Sequence, residues 1–333
     1  VIYDFALEPE LVATWHDPRV AYPVLCQVGL GHRRVACAFP ATAWANLVMS
    51  AFQTSVPDEE TAQWQSARKK IEVLLRHLQD TGTRRSGKLL DGETWLNAAT
   101  REHGQFPFGG ILVRSSGVVS AHVVAVDRLG EQDFPAWTPP AAPVVRQTKE
   151  LATALAPLLR CAAQVRFVDP YFDADDTSFF EPMKAYLLAA QQRRSVGDFQ
   201  VQIHFAVRPE EVEQASRIQG RQMTERDVAK NKLAACESRL GPLLQTGVIV
   251  RALAWGKGVA GVKMHNQYVL TEVGGIAVQT GLDQNARGTR QTDDLTVLSK
   301  EQHAARWSEF SAEGVVHRLI ANQRFAGAPS GIR

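Results

Sequence analysis

Closely spaced cysteines are missing from this chain. Its four, Cys26, Cys37, Cys161 and Cys236, lie far apart with no CxxC among them, which removes both zinc-ligand spacing and a redox pair. Scattered in this way they read as reduced, mostly buried thiols of a cytoplasmic protein. No apolar run approaches the ~20 residues that a membrane-spanning helix needs. The first ten residues hold Asp4, Glu8 and Glu10 and no base, unlike the basic start of a signal peptide. A charge excess is missing too: 37 Lys and Arg against 35 Asp and Glu leave +2, too little to mark a nucleic-acid binder by itself. Any basic surface has to be local. There is no internal repeat, no low-complexity tract, and no basic amphipathic helix or lipidation signal that would favour binding to lipid head groups.

What is present is a soluble-type composition, 45% hydrophobic and 22% charged, over 333 residues, enough for about two domains. Segment 134–143 carries four prolines in ten residues, which precludes regular helix or central strand. The boundary is placed there, giving a smaller mixed α and β domain over 1–140 and a second domain over 145–333. In the first, 41–53, 58–80 and 93–102 read as helices, and 111–114 and 118–127 as strands joined by a Ser-Ser-Gly turn. In the second, helices (145–161, 178–192, 209–244 with interruptions, 301–311) alternate with strands (164–169, 199–207, 248–255, 263–271, 276–280, 295–298). This alternation predicts an α/β fold, a sheet covered by helices, with chemistry collected at strand ends and the loops beyond them.

One stretch stands out. Lys263-Met264-His265-Asn266-Gln267 opens an apolar strand, Glu272 follows, and Gly274-Gly275 leads to a second strand and Gly281-Leu282-Asp283. Cleaving a phosphodiester without a metal needs a nucleophile at phosphorus, donors for the non-bridging oxygens and an acid for the leaving oxygen. A neutral imidazole serves as nucleophile when a carboxylate fixes its tautomer and orientation. On the strand 263–271 His265 and Gln267 share a face, with Met264 and Tyr268 on the other, and Glu272 at the strand end is a candidate orienting acid. Asp169, which ends the strand before Pro170, is another. The plainer reading of His265 is a strand-end or core histidine satisfied by a backbone carbonyl.

At these residues the chain resembles the phospholipase D superfamily, whose motif is His-x-Lys, four residues, then Asp. His265 falls at the nucleophile, Gln267 where Lys belongs and Glu272 where Asp belongs; the family's later Gly-Ser is not matched in register. The chain is more similar to a divergent branch, the phospholipase D-like C-terminal domain of MIT-domain proteins and its bacterial relatives. Asp169-Pro170-Tyr171, His265-Asn266-Gln267, Gly274-Gly275 and Gly281-Leu282-Asp283 follow that branch in order over about residues 145–315. The resemblance implies a phospholipase D-like mixed sheet covered by helices, with no metal and no cofactor. It implies a degenerate domain that recognises phosphate or nucleic acid, or assembles with proteins of the same gene system, in a bacterial defence or conflict setting. The alternative is an active metal-independent phosphodiesterase or nuclease in which a homodimer supplies a second His265.

Four further residues are candidate ligand contacts. Lys257 and Lys263 flank the glycine-rich loop before His265 and would present charge to a phosphate, although the loop lacks the spacing of a Walker motif. Asp283 either shapes its loop or binds a donor. His204 sits on the polar face of strand 199–207 with Gln200 and Gln202, a possible second histidine or a buried, hydrogen-bonded one. Arg68-Lys69-Lys70, Arg84-Arg85 and Arg193-Arg194 form a phosphate-tracking stripe if they share a surface, or ordinary helix faces if they do not. Thr292-Asp293-Asp294, before a strand, is an acidic cleft rim or, on the plainer reading, a solvated turn.

Overall fold

Short strands that bury every residue need a helix on each side, and the N-terminal strands are of this kind. In the computed structural model, which describes residues 1–56, 61–115, 117, 120–129, 137, 142–192, 199–258, 261–285, 291–311 and 316–327, the chain falls into two units that divide between Ala141 and Ala142. In the first unit β1 (Tyr3–Leu7), β2 (Arg34–Ala38), β3 (Thr83–Arg84), β4 (Gly110–Val113) and β5 (Val123–Ala125) form one parallel sheet in the order β3-β2-β1-β4-β5. Strands β4 and β5 are buried at every position, and β1 and β2 at all but the first. Helices α1 (Pro9–Ala13), α2 (Pro18–Leu25), α3 (Trp44–Ser55) and α4 (Ala62–Thr81) build one core against the sheet around Phe5, Trp44, Phe52, Trp64 and Ile71. Helix α5 (Trp95–Gln105) builds the other, with Ala98 and Ala99 against Ile111, Val113 and Phe39.

The one charged residue inside β1 explains where the Arg84-Arg85 pair goes. Asp4 is buried, and Arg85 grips it with Nε at 2.7 Å and Nη2 at 2.8 Å while its guanidinium lies 3.9 Å over the Phe108 ring. Arg85 is therefore committed to the core, and the stripe it might have joined is broken. Arg68 is an exposed helix-face residue paired with Glu72, and Arg193-Arg194 lie outside the described residues. Strand β5 is shorter than the 118–127 expectation, in which 118 and 119 lie outside the described residues. It pairs parallel to β4, so the two are not the arms of a hairpin.

The second unit carries a seven-stranded mixed sheet and a two-residue ladder. A short β6 (Val144–Val145) precedes α6 (Thr148–Cys161), β7 (Gln164–Val168), α7 (Thr177–Gln191), β8 (Gln200–Ala206), α8 (Pro209–Gln219), α9 (Glu225–Leu240) and β9 (Ile249–Gly256). Then come β10 (Gln267–Thr271), β11 (Gly274–Val278), β12 (Thr292–Asp293), β13 (Leu295–Val297), α10 (Lys300–Glu309) and β14 (Arg318–Ala326). The sheet order is β13-β11-β10-β7-β8-β9-β14, with β7, β8 and β9 parallel and the outer strands antiparallel to their inner neighbours; β6 pairs with β12. One face meets α7, where Phe167 stacks on Tyr186 at 5.8 Å. The other buries Val168, Leu253, Trp255 and Leu270 under Trp307 of α10 and Phe310.

Two details matter for the site. The strand expected over 263–271 begins only at Gln267, so His265 precedes it. Because β10 runs antiparallel to β7, with Tyr268 opposite Val168 and Thr271 opposite Val165, its start lies at the edge where the parallel strands end. The antiparallel edge strand β14 has no strong alternation and did not announce itself.

Candidate functional site

The three parallel strands end on one edge at Val168, Ala206 and Gly256, and the loops beyond them surround a hollow of about 360 Å³. That volume lies within the range of small-ligand pockets, and the carboxyl edge of parallel strands is where α/β sheets bind ligands. Pro170 and Tyr171 come from the end of β7, Val207, Arg208, Pro209 and Glu210 from β8, and Trp255 and Lys257 from β9. Lys263, Met264 and His265 come from the approach to β10. Arg208, Lys257, Lys263 and His265 thus face one cavity whose floor is Trp255 and Met264, with Glu210 on the rim.

Arg208 is fixed on two sides. Its Nη2 donates to Glu211 Oε1 at 2.9 Å, and its guanidinium lies 5.0 Å over the ring of Tyr171. Glu211 is itself held by Lys232, whose Nζ donates to the same oxygen at 2.9 Å; burial pushes its carboxyl upward, and the charge of Lys232 with the bonds from Arg208 and Lys232 outweighs this and keeps it below its ordinary range. Lys257, Lys263 and His265 are exposed, and among the described residues none has a hydrogen-bond or ion-pair partner. Arg208 is paired with Glu211 and Glu210 stands at the rim, but Lys257 and Lys263 carry charge that no local acid neutralises among the described residues, which suits an anionic ligand.

The other candidates are placed elsewhere, each for a definable reason. Glu272 follows β10, seven residues and roughly 20 Å along the strand from His265. It accepts the amides of Ala163 at 2.5 Å and Gln164 at 2.8 Å, anchoring the entry to β7. It cannot orient the imidazole. The turn itself is Glu272-Val273, and Gly274-Gly275 belong to β11. Gln267 is half-buried as the first residue of β10 and is not among the residues lining the hollow; since His265 is off the strand, the two share no strand face.

His204 is sealed in the core, with no accessible surface. Trp255 Nε1 donates to its Nδ1 at 3.1 Å, which makes Nε2 the protonated nitrogen, and Nε2 meets Gln202 Oε1 at 3.1 Å. Burial holds its pKa well below the ordinary histidine value, with the charges of Arg166 and Arg251 acting in the same direction. It is a neutral structural histidine stacked on Trp255, and not a second catalytic one.

Asp169 and Asp283 belong to a latch that ties the end of β7 to the loop after β11. Asp169 is buried and accepts the Tyr171 amide at 2.9 Å and the Leu282 amide at 2.8 Å. Burial raises its pKa to about 6 against the lowering effect of those two amides. Arg146 donates to Asp283 Oδ1 at 2.5 Å, and Tyr186 donates its hydroxyl to the Leu282 carbonyl at 3.2 Å. Gly281 has φ +114°, and a Cβ there would meet Asp283 Oδ1 at 2.5 Å, so the loop requires glycine on both counts. Asp293, placed in a solvated turn by its sequence, is buried and accepts the amides of Gln279 and Thr280.

Sequence reasoning therefore reached His265, Lys257 and Lys263 and missed Arg208, Tyr171 and Trp255 as cavity residues. The signal for them was available: Val207-Arg208-Pro209 closes a strand at the edge where functional groups collect. Among the described residues no group of three His, Cys, Asp or Glu is placed to hold a metal ion, and no helix is long and apolar enough to cross a membrane. No family model matches the chain, and no curated protein matches it.

Proposed function

We propose that the C-terminal unit recognises the phosphodiester backbone of nucleic acid, and that it binds rather than cleaves. The observation that carries this is the gathering of Arg208, Lys257, Lys263 and His265 around one hollow while no carboxylate is hydrogen-bonded to His265 among the described residues. Backbone recognition needs cations that replace counterions around phosphates. Nucleophilic catalysis needs more: an imidazole whose tautomer and direction are fixed by an acceptor. Asp169 and Glu272 are the two acids the family pattern would offer, and both spend their oxygens on backbone amides. The neutral side chain of Gln267 in place of a lysine points the same way, because bonds to phosphate from a charged donor are about twice as strong as from a neutral one.

The test is binding of labelled single-stranded DNA, single-stranded RNA and duplex DNA to the purified protein in chelator, beside His265→Ala. The expected result is binding that weakens linearly in log–log form with salt, changes less than about fivefold in His265→Ala, and is accompanied by no cleavage. Cleavage that disappears in His265→Ala would establish the phosphodiesterase alternative and overturn this reading. Salt-insensitive binding, or none, would overturn it as well.

A further inference from the structure

The hollow is built for more than a phosphate. A site for an inorganic anion needs donors and little else, whereas here the cations stand at the rim of an apolar floor made by Trp255, Met264 and Val207. The lining is also polarised. Lys257, Lys263 and His265 come from the β9–β10 connection, and the planar groups, Tyr171 and Arg208, come from the ends of β7 and β8.

Resting on the phosphate reading above, we infer that the hollow receives one unpaired nucleotide. Its base stacks at the Tyr171–Arg208 end, and its phosphate lies against Lys257 and Lys263. Tyr171 keeps 40% of its surface exposed at the hollow while Asp169 pins its backbone amide, so an open ring is held in a fixed place. The guanidinium of Arg208 lies 5.0 Å from the centre of that ring, is held by the carboxylate of Glu211 at 2.9 Å, and remains partly open to solvent. A guanidinium stacked on an aromatic ring is a sequence-tolerant platform for any base, since every base offers a π-face. Pro170 and Pro209 border the two planar residues and limit the backbone freedom of the loops that carry them. Bases inside a duplex are already stacked and paired, so only a single strand, a strand end or a free nucleotide presents the face this platform takes. Nothing in the floor offers a hydrogen-bonding code for one base over another, so recognition is of a nucleotide unit without sequence preference.

The experiment compares three labelled ligands with similar phosphate counts: a thymidine oligomer of about ten nucleotides, a matching oligomer of abasic sites, and a duplex. The thymidine oligomer is expected to bind roughly tenfold more tightly than the abasic one, from loss of a single stacked base. Tyr171→Ala should remove that advantage without altering abasic binding, and Tyr171→Phe should restore it, which a merely structural role for Tyr171 would not do. The duplex should bind at the abasic level. Thymidine monophosphate is included as a competitor: displacement identifies a free nucleotide as sufficient, and failure to displace identifies a strand, and either agrees with the inference. Equal, salt-sensitive binding of the thymidine and abasic oligomers would overturn the base platform and leave the phosphate reading standing. Binding of neither would overturn both.

Discussion

Each unit leaves the first strand of its main sheet through an acid followed by proline: Glu8-Pro9 after β1 and Asp169-Pro170 after β7. Each acid reaches across to tie down a backbone amide beyond another strand. Glu8 Oε2 accepts the Arg114 amide at 2.6 Å after β4, and Asp169 Oδ2 accepts the Leu282 amide at 2.8 Å beyond β11. Burial raises the pKa of both. The corners then part company. In the first unit Pro9 and Glu10 open a short helix, and the hollow nearby, about 430 Å³, is lined by Glu10, Glu93, Ser50, Thr54 and Arg114. In the second, Tyr171 follows, and the hollow is lined by Arg208, Lys257, Lys263 and His265. The strand-end corner is a structural device common to both sheets, and the charge lining each hollow is decided by the loops that come after it. An acid at such a corner is therefore weak evidence of catalysis.

Making the C-terminal hollow electrostatically like the N-terminal one breaks the comparison most severely. Replacing the two lysines to which the proposal assigns the phosphate by carboxylates, in Lys257→Glu with Lys263→Glu, is expected to weaken single-strand binding by more than about 100-fold, since hydrogen bonds to charged groups are worth ~1.5–3 kcal/mol each. The log–log salt slope should fall in magnitude by about 1.4, at ~0.7 per lost contact. Both lysines are exposed, so the unfolding midpoint should hold. Anisotropy titrations across salt concentrations measure both quantities, and a slope unchanged by the double substitution would place the phosphates elsewhere.

The two corners differ in how much each acid holds, and alanine substitution sharpens that contrast. Asp169→Ala leaves the buried Leu282 amide without a partner and frees the Tyr171 turn, with an expected loss of about 2 kcal/mol. Glu8 is only half-buried and holds one amide of an exposed residue, so Glu8→Ala should cost under about 1 kcal/mol. Urea unfolding followed in each unit compares them; equal losses would mean that the corners are energetically alike.

How much of this was legible in the residues depends on whether a signal was local. The helix over 178–192 and the strand over 199–207 emerge within a residue or two of where their periodicity puts them, at Thr177–Gln191 and Gln200–Ala206. The strands β1 and β2 escaped because five-residue segments, each with one charged residue, are too short to carry a period that separates strand from buried helix. Strand direction was out of reach for the same reason: β4 and β5 are near in sequence yet parallel. At the site, sequence spacing set Glu272 beside His265 as a family motif would. Antiparallel pairing of β10 with β7 instead carries it to the opposite edge of the sheet, among the amides of Ala163 and Gln164. His204 was readable as polar-faced, but not as sealed, because Trp255 and Phe310 that enclose it arrive from 51 and 106 residues downstream.

The acid response is the finest discriminator between the corners. Asp169 has a folded pKa of about 6 against 3.8 for an unperturbed aspartate, so between those values the folded chain binds more proton than the unfolded one. Stability tied to this group is therefore fully present below about pH 4 and is lost as pH rises through 6, an excursion of about 2–3 kcal/mol at ~1.4 kcal/mol per pKa unit. His204 acts in the opposite sense: its folded pKa is depressed, so its contribution is present above 6.5 and lost as pH falls below it. The two slopes offset each other across the mildly acidic range, and wild-type stability should change little there on their account. Asp169→Asn removes one slope and leaves the other. That variant should lose about 1 kcal/mol or more per pH unit on acidification from 6 toward 4.5, relative to wild type, in urea midpoints measured at each pH. Glu8→Gln should shift the same curve in the same direction but by less, because its carboxyl is half-exposed and its charge is better solvated. A curve for Asp169→Asn parallel to that of wild type would mean that the latch carboxylate is hydrated and that burial does not hold its proton.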